Sequence, residues 1–317
     1  MCTAISFSAE RHYFGRNLDL DQDYGQHVTV AARRFPLAGM ENHSGIIGMA
    51  AVVDGYPLFF EGTNEQGLSV AALNFPENAV YRRAIEGKEN IPSYDLISYI
   101  LTRCSNCEEA KALLHNALIC DSHFAEELPT TPLHWLIADR EMALVAESTS
   151  EGLQLYENPI SVLTNNPPFP YHLDNLCRYM ALHSGMPENR LAPALPLSPF
   201  SLGMGASGLP GDFSSPSRFV RAAFVLHNSP KNADTAVSQF FHILDAAAVP
   251  DGCVKTENGY QKTLYSCCCD TQRGVYYYTT AHNRQIKAVN MHRTDLESNR
   301  ITQFPLIDAE QIHWVQS

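Results

Sequence analysis

The chain has 317 residues, 45% of them hydrophobic and 18% charged, which suits a folded core and excludes a disordered protein. Its 22 basic and 34 acidic residues leave a net charge of −12, and the longest basic runs are the pairs Arg33-Arg34 and Arg82-Arg83, so no clustered face for nucleic acid is expected. No apolar stretch approaches a membrane span, and the first residues lack the basic-then-apolar order of a secretion signal; no membrane partner is expected and the protein reads as cytoplasmic.

Strand signals fill the first third. Thr3 to Ser8 and Arg11 to Gly15 read as a hairpin across Ala9-Glu10. Val28 to Arg33, Ile46 to Val53, Pro57 to Glu61 and Leu68 to Leu73 follow, with turns at Gly25, Asp54-Gly55 and Asn64 to Gly67. Connections this short make neighbouring strands antiparallel. A helical block comes next. Ser93 is a candidate N-cap for a helix that buries Leu96, Ile97, Ile100 and Leu101, and Asn106 is one for a second, with Ala110, Leu113 and Leu114 inward. Strands return over Leu133–Ala138, Ala143–Glu147, Leu153–Tyr156 and Ser161–Thr164.

A third helix is expected over Tyr171–Leu182. Pro187 to Pro216, rich in Pro, Gly and Ser, reads as a long surface loop. Ser215-Pro216 then has the N-cap and first-position chemistry of a helix running to about His227, and another follows over Asn232–Ala247. The tail returns to strands at Lys262–Cys269, Gly274–Thr279, Gln285–Met291 and Arg300–Pro305. Strands, helices, then strands and helices again give an α+β plan, with antiparallel sheets and helices on their outer faces.

Nine cysteines, an odd number without a secretion signal, do not read as a disulfide framework. Cys104-Ser-Asn-Cys107 has no second pair at zinc-ribbon distance, so it reads as two helix thiols and no metal is expected. The run Cys267-Cys268-Cys269 reads as small apolar residues of a strand.

Position 2 differs from these. Loss of Met1 would leave Cys2 with its thiol and its own α-amine on one residue. The amine titrates at about pH 8 and the thiol at about pH 8.5 in their reference states, so nucleophile and base come together, as in N-terminal threonine enzymes. Four further segments carry candidate polar groups: Phe14-Gly-Arg16-Asn-Leu-Asp19, Ala71-Ala-Leu-Asn74-Phe-Pro76, Val162-Leu-Thr-Asn165-Asn-Pro167 and Gly211-Asp-Phe-Ser-Ser-Pro-Ser-Arg218. Each has an ordinary explanation, such as turn chemistry at Asn-Pro or an Arg218 pairing with Asp212. No histidine falls in any of them, and His134 reads as a strand residue.

Taken together, with GYPLFFEGTNEQGLSVAALNFPENA, PLHWLIADRE, FFHIL and YYYTT, the segments resemble the choloylglycine hydrolases over essentially the whole chain. That family holds the bile salt hydrolases and penicillin V acylases. The resemblance implies a four-layer αββα sandwich of the N-terminal nucleophile hydrolase fold, as a single domain over residues 1–317. It implies that Cys2 is the nucleophile once Met1 is removed, that Arg16 favours its thiolate, and that Asp19 holds the α-amine. Asn74 and Asn165 would supply the oxyanion region, and Arg218 would support the electrostatics. No cofactor is implied, and family members commonly form tetramers.

Asn74 and the stretch Leu20 to Gly25 look like the bile salt branch, whereas penicillin V acylases usually carry a tyrosine at the first of these positions. Leu20, Val53, Phe60, Phe124, Leu128 and Leu133 match positions that line the steroid pocket. Ala72 departs from a common glycine. The substrates implied are glycine or taurine conjugates of bile acids; penicillin V and a carrier without catalysis are the alternatives.

Overall fold

The computed structural model describes residues 1–316. In chain order its strands and helices are β1 (Cys2–Ser8), β2 (His12–Leu20), β3 (His27–Ala31), β4 (Ile46–Val53), β5 (Tyr56–Asn64), β6 (Ser69–Asn74), β7 (Glu89–Pro92), α1 (Leu96–Arg103), α2 (Cys107–Leu114), β8 (Ala117–Cys120), β9 (Leu133–Ala138), β10 (Ala143–Thr149), β11 (Gly152–Glu157), β12 (Val162–Leu163), α3 (Phe169–Leu176), α4 (Ser215–Asn228), α5 (Ala236–Asp245), β13 (Val254–Lys255), β14 (Tyr260–Asp270), β15 (Val275–Thr280), β16 (Lys287–Asn290) and β17 (Ile301–Phe304).

Two antiparallel sheets carry the fold. One has seven strands, in the order β12-β1-β2-β14-β15-β16 with β13 added to β14; the other has eight, β11-β10-β9-β6-β5-β4-β3-β17. The sheets touch where β6 meets β1 and β2. Helices α4 and α5 cover the outer face of the first sheet, and α1 covers β5 and β6 on the outer face of the second. The layers are therefore helix, sheet, sheet, helix, as the resemblance implies.

The β1–β2 hairpin places the first residues at the centre of the seven-stranded sheet. Cys2 lies opposite Leu18 and Ala4 opposite Arg16. Alternation sends Cys2 and Arg16 to the face toward the other sheet, and Thr3, Asn17 and Asp19 to the helix side; Asn17 accordingly donates to the Leu244 carbonyl of α5 at 2.8 Å. Gly15 is required by close approach, since a Cβ there would lie 2.0 Å from the Cys267 carbonyl oxygen of β14.

Four helix starts differ from the sequence reading. The last helix, expected from Asn232, opens as a 3-10 turn at Ala233–Thr235, and α5 begins only at Ala236. Ser93 opens a 3-10 turn, and α1 begins only at Leu96. The third helix runs over Phe169–Leu176 and tightens into a 3-10 turn at Cys177–Tyr179, short of Leu182. Ser214, not Ser215, occupies the N-cap of α4, because the Ser215 hydroxyl is used elsewhere (below). Asn106 does cap α2, accepting from the Glu109 amide at 2.9 Å. The short parallel pair β7–β8 is absent from the sequence reading. Cys104 and Cys107 are buried free thiols, and the described residues contain no disulfide and no cluster suited to a metal ion. No described helix is long and apolar enough to cross a membrane.

Candidate active site

Cys2 is 2% exposed at the start of β1. Its main-chain N–H donates to Asn165 Oδ1 at 2.8 Å. Met1 precedes it in the same groove. The Met1 ammonium donates to the Asp19 carbonyl at 2.6 Å and to Gln261 Oε1 at 2.9 Å, and its carbonyl accepts from the Asp19 amide at 3.0 Å. Burial pushes that ammonium below its ordinary value.

Two fully buried arginines flank the cysteine. Arg16 donates from Nη1 to the carbonyls of Phe60 and Ala72, while its Nη2 is buried and has no partner among the described residues. Burial opposes its charge, but attraction by Cys2, Tyr265 and Glu61 outweighs that and holds the guanidinium above its ordinary value. Arg218, in the first turn of α4, reaches the other side. Its Nη1 donates to the Cys2 carbonyl at 2.5 Å and to Thr3 Oγ1 at 2.7 Å, and its Nη2 to Asn165 Oδ1 at 2.7 Å. Here burial dominates and lowers the guanidinium, with Asp19 and Cys2 opposing. A pairing of Arg218 with Asp212 does not occur; Asp212 instead braces the turn before α4, accepting from Ser214 N and Ser217 Oγ.

Asp19 is wholly buried. Its Oδ1 accepts from Thr263 Oγ1 at 2.6 Å, and its Oδ2 lies 3.8 Å from Arg218 Nη1 with no hydrogen bond of its own among the described residues. Burial pushes the carboxyl above the usual range, and Arg218 and the chain's ammonium pull it back. Asn165 is fixed on three sides. Its amide N–H donates to Ser215 Oγ at 2.8 Å, its Nδ2 to the Asn74 carbonyl at 2.7 Å, and its own carbonyl accepts from His172 at 2.9 Å. Asn74 ends β6 half-buried. Thus Cys2, Arg16, Asp19, Asn74, Asn165 and Arg218, spread over more than two hundred residues, converge on one end of the hairpin.

The six apolar positions are less concentrated. Leu20 and Phe60 are partly buried against the inter-sheet core, and Leu133 against the outer one. Val53 ends β4 opposite Tyr56, whose ring packs on Phe124 at 5.5 Å. Leu128 is exposed. Two clefts, of about 270 and 420 Å³, open along β14 beside Lys262, and none of the six lines them.

Several groups in this region are not singled out as site residues by the sequence. Thr263 and Ser215 tie down Asp19 and Asn165, and Glu61 faces Arg16 across the sheets, its Oε2 3.9 Å from Arg16 Nε. His134 is a buried strand residue whose ring bonds Glu147 at 3.0 Å and the Thr164 carbonyl at 2.8 Å; it buttresses the strand that leads to Asn165. The one available signal for Glu61 was a carboxylate directly after the apolar run Leu58-Phe59-Phe60.

The model of the choloylglycine hydrolase family, described as linear amide C–N hydrolases, matches residues 2–304. The chain belongs to this family. The hydrolase is 42% identical to a bile salt hydrolase/transferase of Lactiplantibacillus plantarum, over 99% of this chain and all of that one. It is 38% identical to a bile salt hydrolase/transferase of Clostridium perfringens, over 95% of each. The structure of a cysteine-to-alanine mutant of the conjugated bile acid hydrolase from Clostridium perfringens superposes over the full length of both chains with a TM-score of 0.92 at 36% identity. A penicillin V acylase from Agrobacterium tumefaciens shares the fold, at a TM-score of 0.75 and 20% identity over 96% of this chain and 91% of its own.

Proposed function

We propose that this hydrolase deconjugates bile acids, cleaving the amide to glycine or taurine with Cys2 as its nucleophile after loss of Met1. The observation that supports it most is the buried convergence of Cys2 with two arginines, an aspartate and an asparagine, in a chain whose relatives of similar length are bile salt hydrolases. The Cys2 thiolate attacks the amide carbonyl carbon, forming a C–S bond and a tetrahedral oxyanion. Asn74 and Asn165 amide donors receive that charge; loss of one such donor costs on the order of 100- to 1000-fold in rate. The freed α-amine of Cys2, held by Asp19 through the open Oδ2, gives its proton to the nitrogen as the C–N bond breaks, and glycine or taurine leaves. Water, deprotonated by the same amine, attacks the thioester; the C–S bond breaks and the bile acid is released.

The family resemblance assigns Leu20, Val53, Phe60, Phe124, Leu128 and Leu133 to the steroid face. The family resemblance extends the proposal to a homotetramer working in the cytoplasm, and sedimentation of the purified chain checks the assembly. Intact mass comes first, because only a chain without Met1 has the amine. Glycocholate, taurocholate and penicillin V are then assayed side by side with the wild type and Cys2→Ala. Conjugated bile acids should turn over faster than penicillin V, and Cys2→Ala should lose on the order of a million-fold in rate. Preference for penicillin V overturns the substrate, and hydrolysis by Cys2→Ala overturns the nucleophile.

A further inference from the structure

Behind Arg16 lies a second buried charge. Glu61 is 2% exposed on β5, and its carboxylate crosses from the eight-stranded sheet to the seven-stranded one. Tyr265 Oη donates to its Oε2 at 2.8 Å and Tyr276 Oη to its Oε1 at 2.6 Å; Cys267 Sγ approaches Oε1 at 3.6 Å. Arg16 Nε stands 3.9 Å from Oε2. Burial pushes the Glu61 carboxyl above its ordinary range, and Arg16, Tyr276, Tyr265 and Cys267 pull it back. Three donors and a guanidinium around two oxygens are what favours its ionised form. The backbone is locally adapted here: the pairing of β4 with β5 shifts between Met49 and Ala50, which oppose Glu61 and Phe59 and leave Phe60 as the extra residue. A Cβ on Gly48 would lie 2.0 Å from the Glu61 carbonyl oxygen.

The groups around this pair come from every neighbouring element. They are Cys2 of β1, Arg16 and Asp19 of β2, Glu61 of β5, Tyr265, Cys267 and Cys269 of β14, Tyr276 of β15 and Arg218 of α4. Both tyrosines and Cys267 are driven by burial well above their ordinary values, so they stay protonated and act as donors. Arg16 in turn spends Nη1 on the Phe60 and Ala72 carbonyls and Nε on the Asn17 carbonyl at 3.4 Å. Glu61 therefore meets that edge as a counter-charge without a hydrogen bond, and only Nη2 is left without a partner.

We propose that Glu61 is a positioning residue for Arg16: it anchors the Nε edge of the guanidinium, keeps Nη2 available to the Cys2 sulfur, and offsets part of the positive charge that the sulfur meets. The inference rests on Cys2 being the nucleophile. It gives Arg16 a counter-ion distinct from the Asp19–Arg218 pair, so each arginine beside Cys2 has its own carboxylate.

The test reads the thiol directly. Wild type and Glu61→Gln, both free of Met1 by intact mass, are alkylated with iodoacetamide across pH, and modification of Cys2 is followed by peptide mass spectrometry. Glutamine keeps the shape and can hydrogen-bond the tyrosines, so the change is one of charge. Without the anion, Arg16 stabilises the thiolate more, and the alkylation curve should move down by about 1 pH unit. A curve that does not move, or moves up, overturns the proposal, and a purely structural role predicts no movement. Should Glu61→Gln fail to fold, Tyr276→Phe takes its place: loss of one donor weakens the anion, and a smaller downward movement is expected, with none overturning the idea. The outcomes are separable, because hydrolysis by Cys2→Ala would sink the nucleophile reading, whereas an unmoved curve sinks only the role of Glu61.

Discussion

The two apolar layers of the molecule are built differently. Between the eight-stranded sheet and α1 and α2 the filling is dry: Leu68, Val70, Ile97, Ile100, Leu101 and Ile137 interlock with Trp135. The layer between the sheets, continued out to α4 and α5, packs Phe14, Phe169, Phe219 and Phe240 just as tightly, yet it also encloses Arg16, Asp19, Glu61, Arg218, His12 and His172. Desolvating each of the four charged members, Arg16, Asp19, Glu61 and Arg218, costs several kcal/mol before any partner offsets it, while the two histidines are kept neutral by burial. The contrast teaches where stability and chemistry are separated: the outer layer holds the fold, while the inner one also holds ionised groups that have no stabilising reason to be there.

The strongest way to break that contrast is to remove one member of a buried pair. Arg218→Met should strand Asp19 and release both the Cys2 carbonyl and Asn165 Oδ1. Loss of hydrolysis together with about 3–5 kcal/mol of stability is expected, the latter read by urea unfolding. An active, fully stable variant would mean that the arginine is incidental to both.

The second effect depends on pH and has opposite signs in the two layers. In the inner layer burial pushes His172 down to about 4, as it does His12. The unfolded chain therefore takes up these protons first, and stability is lost as pH falls from about 6.5 to about 4. On the rim of the outer layer burial pushes Asp95 up to about 6, against the Tyr56 hydroxyl and Arg103. Its folded form keeps the proton longer, so that contribution is complete below about pH 3.8 and is lost as pH rises through about 6. Each is worth up to about 3 kcal/mol. Thermal unfolding from pH 4 to 7 should show His172→Gln reducing acid sensitivity and Asp95→Asn raising stability at pH 7. Identical profiles for all three proteins would remove both assignments.

What the sequence made legible follows the same division. Strand alternation and short turns located the hairpin, and its register alone sends Arg16 toward Cys2 and Asp19 toward the helices. The dry layer was equally readable, since Leu96 to Leu101 and Leu133 to Ala138 carry their periodicity locally. Asn74, Asn165 and Arg218 became visible only through family motifs, because nothing local distinguishes them from turn or cap residues. Glu61 and Thr263 were not visible as partners of the site, although Glu61 lies within one of the family segments. Their partners, Tyr265 and Asp19, lie about two hundred residues away in sequence, and no periodicity announces a carboxylate that crosses between sheets. The same cause misplaced the α4 cap: the Ser215 hydroxyl is drawn to Thr164 and Asn165, a tertiary pull that local propensity cannot register. The pair β7–β8 escaped because four-residue parallel strands separated by two helices leave hardly any pattern.

The smallest effect discriminates best, because it holds the packing chemistry constant. Ile100 of α1 and Ile5 of β1 are both fully buried, one in each layer. Shortening either to valine removes one methylene and should cost about 1 kcal/mol. Their consequences for turnover should differ. Ile100 faces only the dry layer, so Ile100→Val should leave kcat/KM unchanged. Ile5 lies three residues from Cys2 on the strand that β2 and β12 hold in register, opposite Gly15 and Val162. A shift of β1 into the new space moves the nucleophile against Arg16 and Asn165, and displacements well under 1 Å are enough to slow a reaction that depends on alignment. Ile5→Val should therefore lower kcat/KM several-fold at an equal loss of stability. Equal turnover in the two variants would mean that the layers differ in composition but not in mechanical coupling to the site.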